Sequence, residues 1–315
     1  MHTTSRFFAG VVVITALLLA IGPAPVQGWG YEGHKMILRI AIDLMAPGER
    51  SLLLEERNYD SLERNVLLPD RLAAMERNRG NEGSEGPNHY INTEDMPSKP
   101  SDYEGFYKAV QADNLKTGRL VSRILECTGW LERAGKKDNR EEWLHWAAFL
   151  AHYVGDGHQP LHVTANHDGR HTGNPVDLQD PDGVSVHIRY ESGLVNNYKQ
   201  ELESRARDLA ALYLGTNGGL QAEAERFKAD PRSYVCSFAW GAHEHVAKIL
   251  DADNRITGRR ANYSMKKGRY YERLYKELGE LTAQQLARAS IAAAAIWYNA
   301  THGGVLTNPD TVLKP

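Results

Sequence analysis

Apolar residues return every three or four positions along Lys35–Leu44, Tyr103–Ala134, Glu141–Tyr153, Asn197–Leu214 and Pro231–Leu250. That is the period of a helix with one buried face. Further helices are expected at Tyr270–Leu278 and, behind a Thr282 cap, at Ala283–Asn299. No stretch alternates apolar with polar residues convincingly, as a half-buried strand would, so the fold class is all-α. With 315 residues and 42% hydrophobic content the chain can bury a substantial core, and a single mostly helical domain is expected. The interruptions Arg77–Pro100 and Thr164–Val186 are rich in Gly, Asn, Asp, Pro and His and read as loops. Connections that long in a compact domain usually carry function.

The start of the chain has a different character. Met1–Arg6 is polar with one positive charge, Phe7–Gly22 is apolar, and a Pro-containing segment runs to Gly28. This is the layout of a secretory signal peptide, residues 1–28, with cleavage expected between Gly28 and Trp29. The mature protein would then be a catalytic domain of residues 29–315, secreted or periplasmic. No transmembrane anchor is expected after cleavage, because the apolar run is shorter than the ~20 residues a span needs and Ile291–Ile296 is shorter still.

Thirty-seven basic residues face 40 acidic ones, a net charge of -3. The chain therefore lacks the basic excess with which proteins engage duplex DNA, while a small or single-stranded phosphate ester stays compatible. Cys127 and Cys236 are the only cysteines. Two thiolates are too few for a thiolate zinc site, so any metal must be held by histidine and carboxylate. An oxidising compartment permits them to pair, and a Cys127–Cys236 disulfide is expected.

The densest chemical signal is His152-Tyr153-Val154-Gly155-Asp156, followed by Gly157-His158-Gln159-Pro160-Leu161-His162. Four residues apart at the end of a helix, His152 and Asp156 share a face and can meet one cation. Pro160 stops the helix and lets His162 return from another direction. His187 and Glu191 repeat the four-residue spacing downstream. Either pair alone is also what a solvated ion pair looks like; the weight comes from accumulation. Asp70 in Leu68-Pro69-Asp70-Arg71 and His89 in His89-Tyr90-Ile91-Asn92 add a carboxylate and an imidazole, and cleavage before Trp29 would free an α-amine five residues ahead of His34. An unprotonated α-amine is a nitrogen ligand. His145, His158, His167, His171, His243 and His245 are read as surface or packing residues.

In this order the fragments resemble the trinuclear-zinc phosphodiesterases, which comprise single-strand-specific nucleases of the S-one/P-one type and the related bacterial zinc phospholipases C. The match covers nearly the whole mature chain. It implies nine ligands to three Zn2+ ions: Asp70, His89, His152 and Asp156 to one; Trp29, His34 and the shared Asp156 to a second; His162, His187 and Glu191 to a third. It implies a hydrolase that activates water without a covalent intermediate, with Asp70 as the ligand that also orients or deprotonates that water. Trp-Gly-x3-His at the start and the Gly-Asn loop before His187 resemble the nuclease branch. This implies an endonuclease on single-stranded DNA and RNA giving 5′-nucleotides, with 3′-nucleotidase activity and no stable protein partner. Tyr90 stands where those nucleases stack a base, or packs under its loop. Asn92 replaces an aspartate used against the base, Ala73 replaces a basic residue, and Glu191 matches the phospholipases, which keeps phospholipid head groups as the alternative substrate. A non-enzymatic metal-binding module is the third reading, disfavoured by nine ordered matches.

Overall fold

The computed structural model describes residues 29–79, 85–95, 117–176 and 185–301. Residues 1–28, the expected leader, lie outside them, as do residues 103–116 of the second expected helix. Eleven longer helices are present among the described residues, with no strand: α1 (Gly30–Leu44), α2 (Pro47–Leu53), α3 (Glu56–Val66), α4 (Leu68–Asn78), α5 (Leu120–Lys136), α6 (Arg140–His158), α7 (Lys199–Thr216), α8 (Gly219–Ala229), α9 (Pro231–His243), α10 (Val246–Thr257) and α11 (Tyr270–Thr301). Between α6 and α7 runs a composite segment, Val186–Ile188, the π-turn Arg189–Leu194, and Val195–Asn197. None of the described helices is long and apolar enough to cross a membrane.

Two apolar clusters form the interior, and α1 and α11 stand between them. Leu38, Ala41 and Ile42 of α1 face one cluster with α3, α5, α6, α9 and the C-terminal part of α11. Met36, Ile37 and Ile40 face the other with α7, α10 and the N-terminal part of α11. Helix α6 is buried almost without interruption from Ala147 to His158, so its ionisable groups stand inside a core, where they cost free energy unless partnered. The indole rings of Trp143 (α6) and Trp297 (α11) meet edge to face at 6.1 Å. Truncating either to Ala is expected to cost ~3–5 kcal/mol.

Several boundaries differ from the sequence reading. Of the helix expected over Tyr103–Ala134, residues 103–116 lie outside the described ones, and the described helix begins at Leu120, just after Gly118, which sits at φ 93 with its α-carbon against Tyr90; a β-carbon there would lie 2.1 Å from the Tyr90 carbonyl oxygen. Pro231–Leu250 is two helices, broken at Glu244 and His245. The two helices expected after Tyr270 are one, of 32 residues. Thr282 does not cap; its hydroxyl donates to the Leu278 carbonyl one turn back at 2.9 Å. The expected disulfide is absent: Cys127 on α5 and Cys236 on α9 are buried free thiols that pack as small apolar side chains in one core cluster. Burial pushes each thiol pKa up to about 12.

Candidate metal centre

Six segments converge on one buried site. Trp29 is the N-cap of α1 and His34 lies on that helix; Asp70 is in the first turn of α4; His89 ends the 3-10 turn Gly86–His89. His152 and Asp156 come from the end of α6. The helix terminates at His158, and Pro160 opens the 3-10 turn that delivers His162. His187 and Glu191 come from the π-turn segment. That segment is pinned by Arg189, fully buried, which donates to Asp253 at 2.7 and 3.1 Å while Tyr270 donates to the same oxygen at 2.6 Å.

Asp156 is the hub. Its Oδ1 lies 3.4 Å from His34 Nε2 and 3.6 Å from His162 Nδ1, and its Oδ2 lies 3.0 Å from His89 Nδ1 and 3.4 Å from His152 Nε2. The Asp70 carboxylate is 3.7 Å from both His89 and His152. His187 Nε2 is 2.8 Å and His162 Nε2 3.4 Å from Glu191 Oε2. Ligand atoms fall within 4.8 Å of one another in three groups: His34–Asp70–His152, His89–His152–Asp156 and His162–His187–Glu191. Two imidazoles are aimed by backbone carbonyls: His152 Nδ1 donates to Val66 at 2.8 Å and His162 Nδ1 to His89 at 2.6 Å.

The residues fit divalent cations. All eight side chains are at least nine-tenths buried, yet both ring nitrogens of His34 and of His187, Asp156 Oδ1 and Glu191 Oε1 make no hydrogen bond. Buried polar atoms left without partners are costly and rare. Imidazole nitrogen with carboxylate oxygen and no thiolate is a donor set for zinc-like ions. Burial, with the neighbouring His34 charge, holds His152 well below the usual histidine range, and burial brings His187 down to about 4. Both are therefore neutral, the ligating form. Burial opposes ionisation of Asp156, but the surrounding His152 and His162, with nearby His34 and the bond from His89, outweigh it and keep the carboxyl well below its usual range. At His89 burial opposes the proton, but bonds to Asp156 and Glu85 raise the pKa to about 10. Burial lifts Glu191 to about 8 against His162 and Gln159.

The sequence profile of the S1/P1 nucleases matches residues 29–300. The chain belongs to the S1/P1 nuclease family. Endonuclease 1 of Arabidopsis thaliana is 27% identical over 184 residues, 57% of this chain and 57% of that protein. Endonuclease 2 of the same plant is 26% identical over 200 residues, 62% of this chain and 66% of that protein. The matches thus span less than two thirds of either relative.

In this S1/P1 nuclease family member Tyr90 is half-buried beside His89, and burial raises its hydroxyl pKa. The Asn92 backbone amide donates to the Thr117 carbonyl at 2.7 Å. Ala73, where the resemblance expects a base, is buried, and Arg71 lies 6.0 Å over the Tyr31 ring. Sequence reasoning missed the residues that hold the ligands. Buried Glu85 lies 3.5 Å from His89 Nε2 and accepts from the Tyr153 hydroxyl, with Arg123 3.9 Å away. The Gln159 side chain donates to Glu191 at 3.0 Å and accepts from the Leu161 amide at 2.6 Å. The signals were faint: Glu85 stands four before His89, and Gln159 adjoins Pro160. Of the histidines set aside, His158 stacks on Phe238, His145 packs at a tilt against Phe149, and His243 bonds Thr93.

Proposed function

We propose that the chain is an exported, zinc-dependent endonuclease that hydrolyses single-stranded DNA and RNA to 5′-nucleotides and also removes 3′-phosphates. The observation that carries this is the buried convergence of five imidazoles and three carboxylates, Asp156 among them, in a family of nucleases with relatives named endonucleases. Asp70, His89, His152 and Asp156 would hold one zinc ion, and His162, His187 and Glu191 another. After leader cleavage the α-amine and carbonyl of Trp29 would join His34 and Asp156 around a third. Bound there, the ions supply concentrated positive charge that acidifies a water and offsets charge developing on the phosphate and leaving oxygen.

The protein's own groups do the rest. Asp70, held in the first turn of α4 beside His89 and His152, orients the attacking water and accepts its proton. The Tyr90 ring offers a stacking face to a base, worth ~1–3 kcal/mol and indifferent to sequence. Asn92 lies two residues on. Nucleic acid is favoured over phospholipid by the family match and by the relatives named endonucleases.

The test is a side-by-side assay on denatured DNA, duplex DNA, RNA, a 3′-nucleotide and phosphatidylcholine vesicles, with and without chelator. Chelator-sensitive release of acid-soluble nucleotides from denatured DNA is expected. Phosphocholine release with denatured DNA left intact would move the assignment to the phospholipase branch. Metal analysis giving well under three zinc ions per chain would end the three-ion reading. A variant that keeps Met ahead of Trp29 should lack one ion; full zinc content there would remove the α-amine from the ligand set.

A further inference from the structure

The His162–His187–Glu191 group continues towards the surface. His167, Asp168 and His187 also bring ligand atoms within 4.8 Å of one another. The rings of His167 and His187 stand 5.5 Å apart, and His167 Nε2 lies 3.5 Å from Asp168 Oδ2. Exposure falls steeply along this line. The side chains of His167 and Asp168 are 43% and 26% exposed, that of His187 3%, His162 2% and Glu191 0%.

The outer pair is presented by a built turn. Thr164 and the Ala165 amide donate to Glu94, and the Asn166 side chain accepts from the His171 amide and donates to Thr172. Gly169, at φ 72, lets the chain fold back against Asn174, whose amide donates to Leu250 and Asp253. A turn fixed this way loses little conformational freedom when it takes a ligand. An ordinary surface ion pair, with Asp168 also 3.7 Å from Arg170, would account for His167 and Asp168. It would not account for His187, which belongs to both groups and whose Nδ1 is buried without a hydrogen bond.

We infer that His167, Asp168 and His187 form a surface capture site for a divalent transition-metal ion, through which the inner His162–His187–Glu191 position is loaded. Two imidazoles and a carboxylate select zinc, cobalt or nickel over magnesium and calcium. Because His187 is shared, the two positions fill in succession: the ion meets the outer pair and His187, then moves inward as His162 and Glu191 replace the outer pair. The inference rests on reading the inner group as a metal site. A pair that only carries the ion lies on the path and not at its end, so it speeds uptake and release equally and leaves the final affinity unchanged.

That symmetry is the test. Chelator-stripped protein and the double variant His167→Ala/Asp168→Asn are compared for cobalt(II) uptake by visible absorption, for zinc release to a chromogenic chelator, and for metal content at equilibrium. Uptake and release of one ion should both slow by about 10- to 100-fold, the range over which groups around a metal centre act, with unchanged final content. Unaltered rates would overturn the inference. So would loss of one ion with faster release, which would make the outer pair ordinary ligands. The single variant Asp168→Asn, read the same way, covers a double variant that folds poorly. His187→Ala should lose one ion; if it keeps full content, the inner group itself is misread, whatever the outer pair does.

Discussion

The chain places two His-x3-carboxylate pairs in one site, and the structure treats them oppositely. His152 and Asp156 lie on a regular helix inside the core, and Asp156 meets four imidazoles. His187 lies just before a π-turn and Glu191 within it, a segment anchored by its own Arg189 to Asp253, and Glu191 meets two imidazoles and the Gln159 amide. The same spacing gives a carboxyl held well below its usual range in one pair and one raised to about 8 in the other. Both are fully buried, so burial opposes ionisation in both; the number of nitrogens around each decides which way it goes. Asp156 is thus charged before any ion arrives, whereas Glu191 gives up a proton to hold one.

The largest break in this contrast is Asp156→Asn. Removing the hub should cost more than one ion and lower hydrolysis by about 1,000-fold or more, measured by metal analysis and nucleotide release. Glu191→Gln should cost one ion and about 100-fold in rate; equal losses from the two variants would erase the distinction between hub and periphery. The pH dependence of metal-free protein sharpens it next. Asp156, with its pKa lowered from 3.8, contributes stability that is present above that value and lost as pH falls through the lowered one. Glu191, raised from 4.5 to about 8, contributes stability that is full below 4.5 and lost as pH rises towards 8. Melting temperatures of chelator-treated protein should therefore fall at both ends, with Glu191→Gln flattening the alkaline side, and Asp156→Asn flattening the acid side and, by removing the partner that raises His89 to about 10, part of the alkaline side. The smallest effect is expected from Gln159→Leu, which removes the donor on Glu191 and should weaken binding of one ion about tenfold by chelator competition, leaving the Asp156 groups untouched.

The ligand residues were legible because each is a chemical type at a spacing: His152 and Asp156 announce a helical face, and Pro160 announces its end. What orients them was not, because carbonyls such as that of Val66, and long-range partners such as Glu85 and Tyr153, leave no local pattern. The π-turn escaped for a similar reason, since residues four apart suggest an α-helix whatever the backbone does. Helices α2, α3 and α4 went unread: they are short, and none carries a side-chain N-cap. The break at Glu244–His245 has no Gly or Pro to mark it. The false division at Thr282 came from a residue that suits caps; here it bonds one turn back within a buried helix.

Cys127 and Cys236 carry a practical consequence. As inert, fully buried thiols on different helices, they set no requirement for an oxidase or isomerase during folding. The fold is therefore expected to survive phosphine reductant, so that metal content can be adjusted independently of any redox step.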